Sequence, residues 1–115
     1  METISASIQS QNDCDVFSQE GTYEYTTRHS ANYYHFEIVK QRSGIYRIYI
    51  VQQPSYNGRS TGDHDTHRIY DSSRSLNYIC VKSDKQPTSV SDATTWLIMW
   101  AEGTDHYIKH GSWDV

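Results

Sequence analysis

One stretch limits the fold more than any other. Residues 89–111 carry the long helical signal of this 115-residue chain. Apolar side chains fall at Val90, Ala93, Leu97, Trp100 and then Tyr107 or Ile108, with Thr104 in the one weak position. Steps of three and four place them on one stripe of a helix. Ser89 followed by Asp92 matches the start of a capping box, with Asp in place of the usual Glu. His110 then Gly111 matches a C-terminal stop, since glycine takes the left-handed turn freely. About 22 residues at about 1.5 Å each span roughly 33 Å, enough to cross one face of a small sheet.

The rest of the chain must supply that sheet. Ten tyrosines and three tryptophans provide much of the apolar bulk, while Leu76 and Leu97 are the only leucines. Tyrosine suits a half-buried pleated surface. Alternating apolar and polar residues predict strands over 22–27, 33–41, 45–52, 66–70 and 76–81. Tyr34, Phe36 and Ile38 share one face of the second strand; Tyr46, Ile48 and Ile50 share one face of the third. The turn Gln41-Arg42-Ser43-Gly44 joins these two into a hairpin. Residues 54–65 form a long loop punctuated by Pro54, Gly58 and Gly62. The expected architecture is α+β: an antiparallel meander of about four to five strands packed against one long C-terminal helix. Residues 1–20 are polar and read as a flexible or loosely docked arm, leaving 21–115 as a single domain. Trp113 is expected to fold back onto the helix end or the sheet.

The net charge of −4 argues against nucleic acid as the main partner, because phosphate binding wants a basic field. No apolar run is long enough to cross a bilayer, and no signal-peptide pattern opens the chain. The expected compartment is therefore cytoplasmic. Of the two cysteines, Cys14 and Cys80, neither is expected to form a disulfide there.

Four groups of residues carry the chemistry. Asp63, His64, Asp65 and His67 are dense enough in imidazole and carboxylate to suggest a divalent metal. The plainer alternative is a polar loop running into a strand, with Asp65 and His67 on one face of it. His106 and His110 lie one helical turn apart, a spacing that clamps a metal but also suits a helix C-terminus through the dipole. Arg59, Arg68 and Arg74 recur beside Tyr56, Tyr70 and Tyr78. Arginine forks next to aromatic faces recognise carboxylates and anchor protein interfaces. Cys80 shares a strand face with Leu76 and Tyr78, which points to an inert, buried thiol.

The order of elements also resembles the ubiquitin-conjugating (E2) enzyme family and its bacterial relatives. There, a strand meander leads through a long loop to a cysteine and then a helix. Here Pro54-Ser55-Tyr56 follows the strongest strand. Then come His67-Arg68-Ile69-Tyr70-Asp71 and Tyr78-Ile79-Cys80, with Pro87 before the helix. The chain lacks that family's His-Pro-Asn motif and the glycine before its cysteine. The resemblance implies Cys80 as a thioester nucleophile, with His67 or Tyr70 near the family's upstream histidine-containing motif and His67 as the catalytic candidate.

Read from the residues, the favoured function is a small binding or accessory protein of inhibitor or adaptor type. It meets a protein partner through residues 54–75, with Tyr56, Arg59, His64, His67, Arg68, Tyr70 and Arg74 as the contact set and Gly58 and Gly62 as hinges. No cofactor is called for, and a homodimer stays open.

Overall fold

The computed structural model describes the backbone of residues 5–6 and residues 21–113 in full. Apart from residues 5–6, the arm expected over 1–20 lies outside the described residues, and Cys14 with it. The described chain folds as six strands and two α-helices, with a short 3-10 turn at Ser83–Lys85. They are β1 (Ser5–Ala6), β2 (Gly21–Thr26), β3 (Tyr33–Lys40), β4 (Tyr46–Gln52), α1 (Asp63–Thr66), β5 (Arg68–Asp71), β6 (Leu76–Ile79) and α2 (Val90–His110). All strands join one sheet in the order β1-β2-β3-β4-β6-β5, and every neighbouring pair is antiparallel. The strands run as a meander through β4. The last hairpin then turns over, so that β6 lies beside β4 and β5 becomes the free edge.

Alternation decides which face is covered. Register pairs Tyr23 with Phe36 and Tyr25 with Tyr34, and Phe36 with Ile50 and Ile38 with Ile48. These residues are all buried, together with Tyr46 and Ile79 on the same side. α2 closes over them with Ala93, Leu97, Trp100 and Ala101. The Trp100 ring meets Tyr34 and Phe36 edge-on, each at 6.0 Å, the geometry that aromatic quadrupoles favour. At about 25 cal/mol per Å² of apolar area, each such ring contributes roughly 2–3 kcal/mol before entropy.

The helix starts and stops where its sequence says. Ser89 Oγ accepts from the Asp92 amide at 3.1 Å, satisfying one of the helix's unpaired amides. Gly111 adopts φ 83° and its amide donates to the Tyr107 carbonyl at 2.7 Å. None of the helices is long and apolar enough to cross a membrane, among the described residues.

Two expectations need correction. Residues 63–65 are not open loop, and the strand expected from residue 66 does not begin there. The Gly62 carbonyl accepts from the Asp65 and Thr66 amides at 3.1 and 3.0 Å and from Thr66 Oγ1 at 2.9 Å, which winds them into one helical turn. His67 ends that turn at φ 54°, and the strand begins only at Arg68. Asp65 and His67 therefore share no strand face. Cys80, in turn, is exposed. β6 ends at Ile79, so the face shared with Leu76 and Tyr78 does not continue to it.

Candidate functional site

The long loop after β4 is anchored at its root and open at its tip. Tyr56 is buried, with its ring edge-on to Tyr107 at 5.9 Å and the Arg68 guanidinium 4.9 Å from its centre. Burial holds its hydroxyl above the usual phenol range. Arg68 also donates to Gln53 Oε1 at 2.9 Å. Arg59 crosses to the far end of α2, where Nε and Nη2 donate to the carbonyls of Ile108 and Lys109 at 3.2 and 3.1 Å. Those carbonyls are the last of the helix and lack intrahelical partners, so a guanidinium is well placed there. Tyr107 donates to the Ser60 carbonyl at 2.8 Å. Tyr56, Arg59 and Arg68 thus hold the loop to the helix. Residues 57–64 remain exposed, with Gly58 at φ 87° inside the tip.

The acidic and histidine-rich turn does not assemble a metal centre. Among the described residues no three His, Cys, Asp or Glu side chains are placed to hold a metal ion. One helical turn splays Asp63, His64 and Asp65. The left-handed His67 turns its ring edge-on to Trp113 at 4.7 Å, 6.4 Å from the His64 ring. Partial burial, and then the neighbouring His64, lower the His67 pKa. Trp113 does fold back: its Nε1 donates to the Asp65 carbonyl at 2.7 Å.

The uncovered face of the sheet holds the densest side-chain chemistry. By register, β3 presents Tyr33, His35, Glu37 and Val39 there, β4 presents Arg47 and Tyr49, β6 presents Leu76 and Tyr78, and β5 presents Ile69 and Asp71. The Arg47 guanidinium lies 4.0 Å from the centre of the Tyr78 ring. Arg74, from the β5–β6 turn, lies 4.5 Å from the centre of Tyr49. Carboxylates complete the group: Arg74 pairs with Glu37 at 2.9 Å, and Arg47 with Asp71 at 3.4 Å. Tyr49 donates to Asp71 at 2.7 Å. Hydrogen bonds from the Ser73 hydroxyl and then from Tyr49 hold Asp71 down to about 2.

The structure therefore divides the contact set expected from sequence. Arg74 joins the open face, where Arg47, Tyr49 and Glu37 were not anticipated. Their signal was present as polar and charged residues at the outward positions of β3 and β4. Tyr70, 57 % exposed, projects from the free edge strand on the opposite side from Arg74's partners. His64 is exposed at the loop tip. Cys80 opens on a small cleft of about 90 Å³ lined in part by Arg47, Ile69, Tyr78 and Pro87, and its amide donates to the His67 carbonyl at 2.9 Å. The His106 and His110 rings meet at a tilt, 4.4 Å between centres, on α2 and remote in sequence from the loop tip.

No family model, curated protein or solved structure matches the chain.

Proposed function

We propose that this is a small cytoplasmic binding protein of inhibitor or adaptor type. It takes a protein partner against residues 54–75, chiefly at the free β5 edge and the open face beside it. The observation that carries the reading is the pair of guanidinium–tyrosine stacks, Arg47 on Tyr78 and Arg74 on Tyr49, on a face that α2 leaves uncovered. Arginine and tyrosine dominate the energetics of protein interfaces, and stacking fixes the arginine fork before a partner arrives, which lowers the entropy lost on docking. Arg74 spends one donor on Glu37, leaving others of its five for a carboxylate of the partner. Tyr70 lies on the same edge strand and offers an exposed ring.

The test is affinity capture from the native host with Arg74→Ala and Tyr70→Ala variants. Both are expected to lose the partner while staying folded, with any loss of stability no more than about 1 kcal/mol. Normal capture by both variants places the contact elsewhere.

A second reading is a thiol carrier like the ubiquitin-conjugating enzymes. One observation favours it: Cys80 is exposed rather than buried, one backbone hydrogen bond from His67. It expects a thioester at Cys80 when the chain is incubated with an activating enzyme and a ubiquitin-like protein. Partner capture that survives Cys80→Ala with no thioester formed would leave the binding reading alone.

A further inference from the structure

A buried carboxylate oxygen without a donor lies beside an open cleft on the α2 side of the sheet, away from the stacked arginines. Asp105 is 9 % exposed. Its Oδ1 accepts from the Tyr34 hydroxyl at 2.6 Å and from Asn32 Nδ2 at 3.1 Å. Its Oδ2 is buried and makes no hydrogen bond. An ionised carboxylate has about four lone-pair sites, and an unpaired buried acceptor is costly. Asp105 lines a cleft of about 370 Å³ between α2 and the β2–β3 turn, shared with His29, Ser30, Glu102, His106 and Lys109.

Two more acceptors border the same space. Glu102, three residues earlier and so on the same helical face, uses Oε2 to accept from the Tyr25 hydroxyl and the Arg28 amide. His106 Nδ1 lies 2.7 Å from the Ser112 carbonyl. A carbonyl only accepts, so Nδ1 carries a proton, and in the tautomer this selects Nε2 keeps its lone pair.

We infer that this cleft is a binding site for a primary alkylammonium group, held by Asp105 Oδ2, the Glu102 carboxylate and His106 Nε2. Three acceptors suit the three donors of an ammonium. A guanidinium fork fits less well, because Oδ1 is already taken by Tyr34 and Asn32 and only one oxygen of Asp105 is open. A metal fits less well too. Its bonds, about 2 Å long for zinc, need tighter convergence than hydrogen bonds of about 2.8 Å, and no metal-holding group of three forms among the described residues. Lys109 stands one turn beyond Asp105 and makes no ion pair with it among the described residues. The same chemistry is offered by a free small amine and by a lysine side chain of a peptide.

The test uses the full chain and amide NMR. Wild type is titrated separately with n-butylammonium, with a terminally blocked lysine peptide, with butylguanidinium, with n-butanol and with zinc. Shifts confined to residues 29–30 and 102–110 are expected with butylammonium, with the peptide or with both, and not with n-butanol. A response to the peptide alone assigns the ammonium to a protein lysine; a response to butylammonium alone assigns it to a free amine; a response to both supports an alkylammonium site that accepts either source. Glu102→Gln and Asp105→Asn are each expected to weaken binding roughly tenfold, the loss of one charge-assisted hydrogen bond. Should Asp105→Asn fail to fold, Glu102→Gln and the wild-type comparison with n-butanol still decide. Equal shifts from n-butanol, stronger binding of butylguanidinium, a response to zinc alone, or no response to either ammonium overturns the inference.

Discussion

The indole Nε1 of Trp100 donates to the backbone carbonyl of Thr66 at 3.1 Å. One side chain therefore fills the core against Tyr34 and Phe36 and also fixes the far end of the long loop. The two contributions separate by mutation. Trp100→Phe keeps most of the packing and loses the hydrogen bond, an expected cost of about 1–2 kcal/mol. Trp100→Ala also opens a cavity, an expected cost of about 3–5 kcal/mol. Urea denaturation of both variants measures the difference. If Trp100→Phe matched wild type, the loop would not depend on this bond.

The end of α2 makes a second, coupled prediction. Gly111 stands at φ 83°, and a Cβ there would sit 2.9 Å from Arg59 Nη1. Gly111→Ala should cost about 1 kcal/mol for the left-handed backbone and should also push the guanidinium off the Ile108 and Lys109 carbonyls. Arg59→Ala alone should cost about 0.5–1.5 kcal/mol, as those bonds are exposed. The glycine substitution is therefore expected to cost less in the Arg59→Ala background than in wild type. Thermal denaturation of the four proteins closes the cycle, and strict additivity would contradict the contact.

Arg68 and Arg74 look alike in the sequence and should behave oppositely. Arg68 stacks on buried Tyr56 and bonds Gln53, so Arg68→Ala is expected to lower stability by about 1–2 kcal/mol. Partner capture by the folded fraction should persist. The Arg74–Glu37 pair is 36 % and 33 % exposed, so its loss should cost no more than about 1 kcal/mol. Capture is the property expected to fall with Arg74→Ala. Paired melting and capture assays on the two variants check this reversal.

Local signals made much of this fold readable. Ser89, Asp92 and Gly111 mark both ends of α2 by their own backbone chemistry, and a three-four period runs between them. Phe36, Ile38, Ile48 and Ile50 alternate strictly, so their burial and the β3–β4 hairpin follow. The turnover of the last hairpin was not readable, because a period of two assigns faces but names no neighbour. Tyr49 shows the same limit. Alternation puts it on the open face with Arg47, yet it is 2 % exposed, because Arg74 arrives from another part of the chain to cover it. The helical turn 63–66 has no apolar period, and its cause is Gly62 accepting backbone bonds, which composition does not reveal. Asp105 carries no sequence signal for a related reason: a carboxylate on a helix usually faces water, and it is Tyr34, arriving from the sheet, that holds this one inward.

Asp71 gives the prediction with the clearest sign. Its carboxyl sits at about 2 in the fold, against about 3.9 for an unperturbed aspartate. A depressed acid contributes stability that is fully present above the unfolded value and is lost as pH falls through the folded one. The charge-dependent part of the wild-type advantage over Asp71→Asn should therefore be constant at neutral pH, shrink below about pH 4 and be lost only below about pH 2. The causes also have an order. The Ser73 hydroxyl contributes most to holding the carboxyl down and the Tyr49 hydroxyl next, so Ser73→Ala should raise the Asp71 midpoint more than Tyr49→Phe. Both hydroxyls donate to the carboxylate, at 2.6 Å from Ser73 and 2.7 Å from Tyr49, and such bonds are stronger to the ionised form than to the neutral acid. Carboxyl NMR titration of wild type and the two variants reads the midpoints directly. A wild-type Asp71 that titrated like an ordinary carboxylate would dissolve the network on the open face, and with it the preset geometry of Arg47 beside Tyr49.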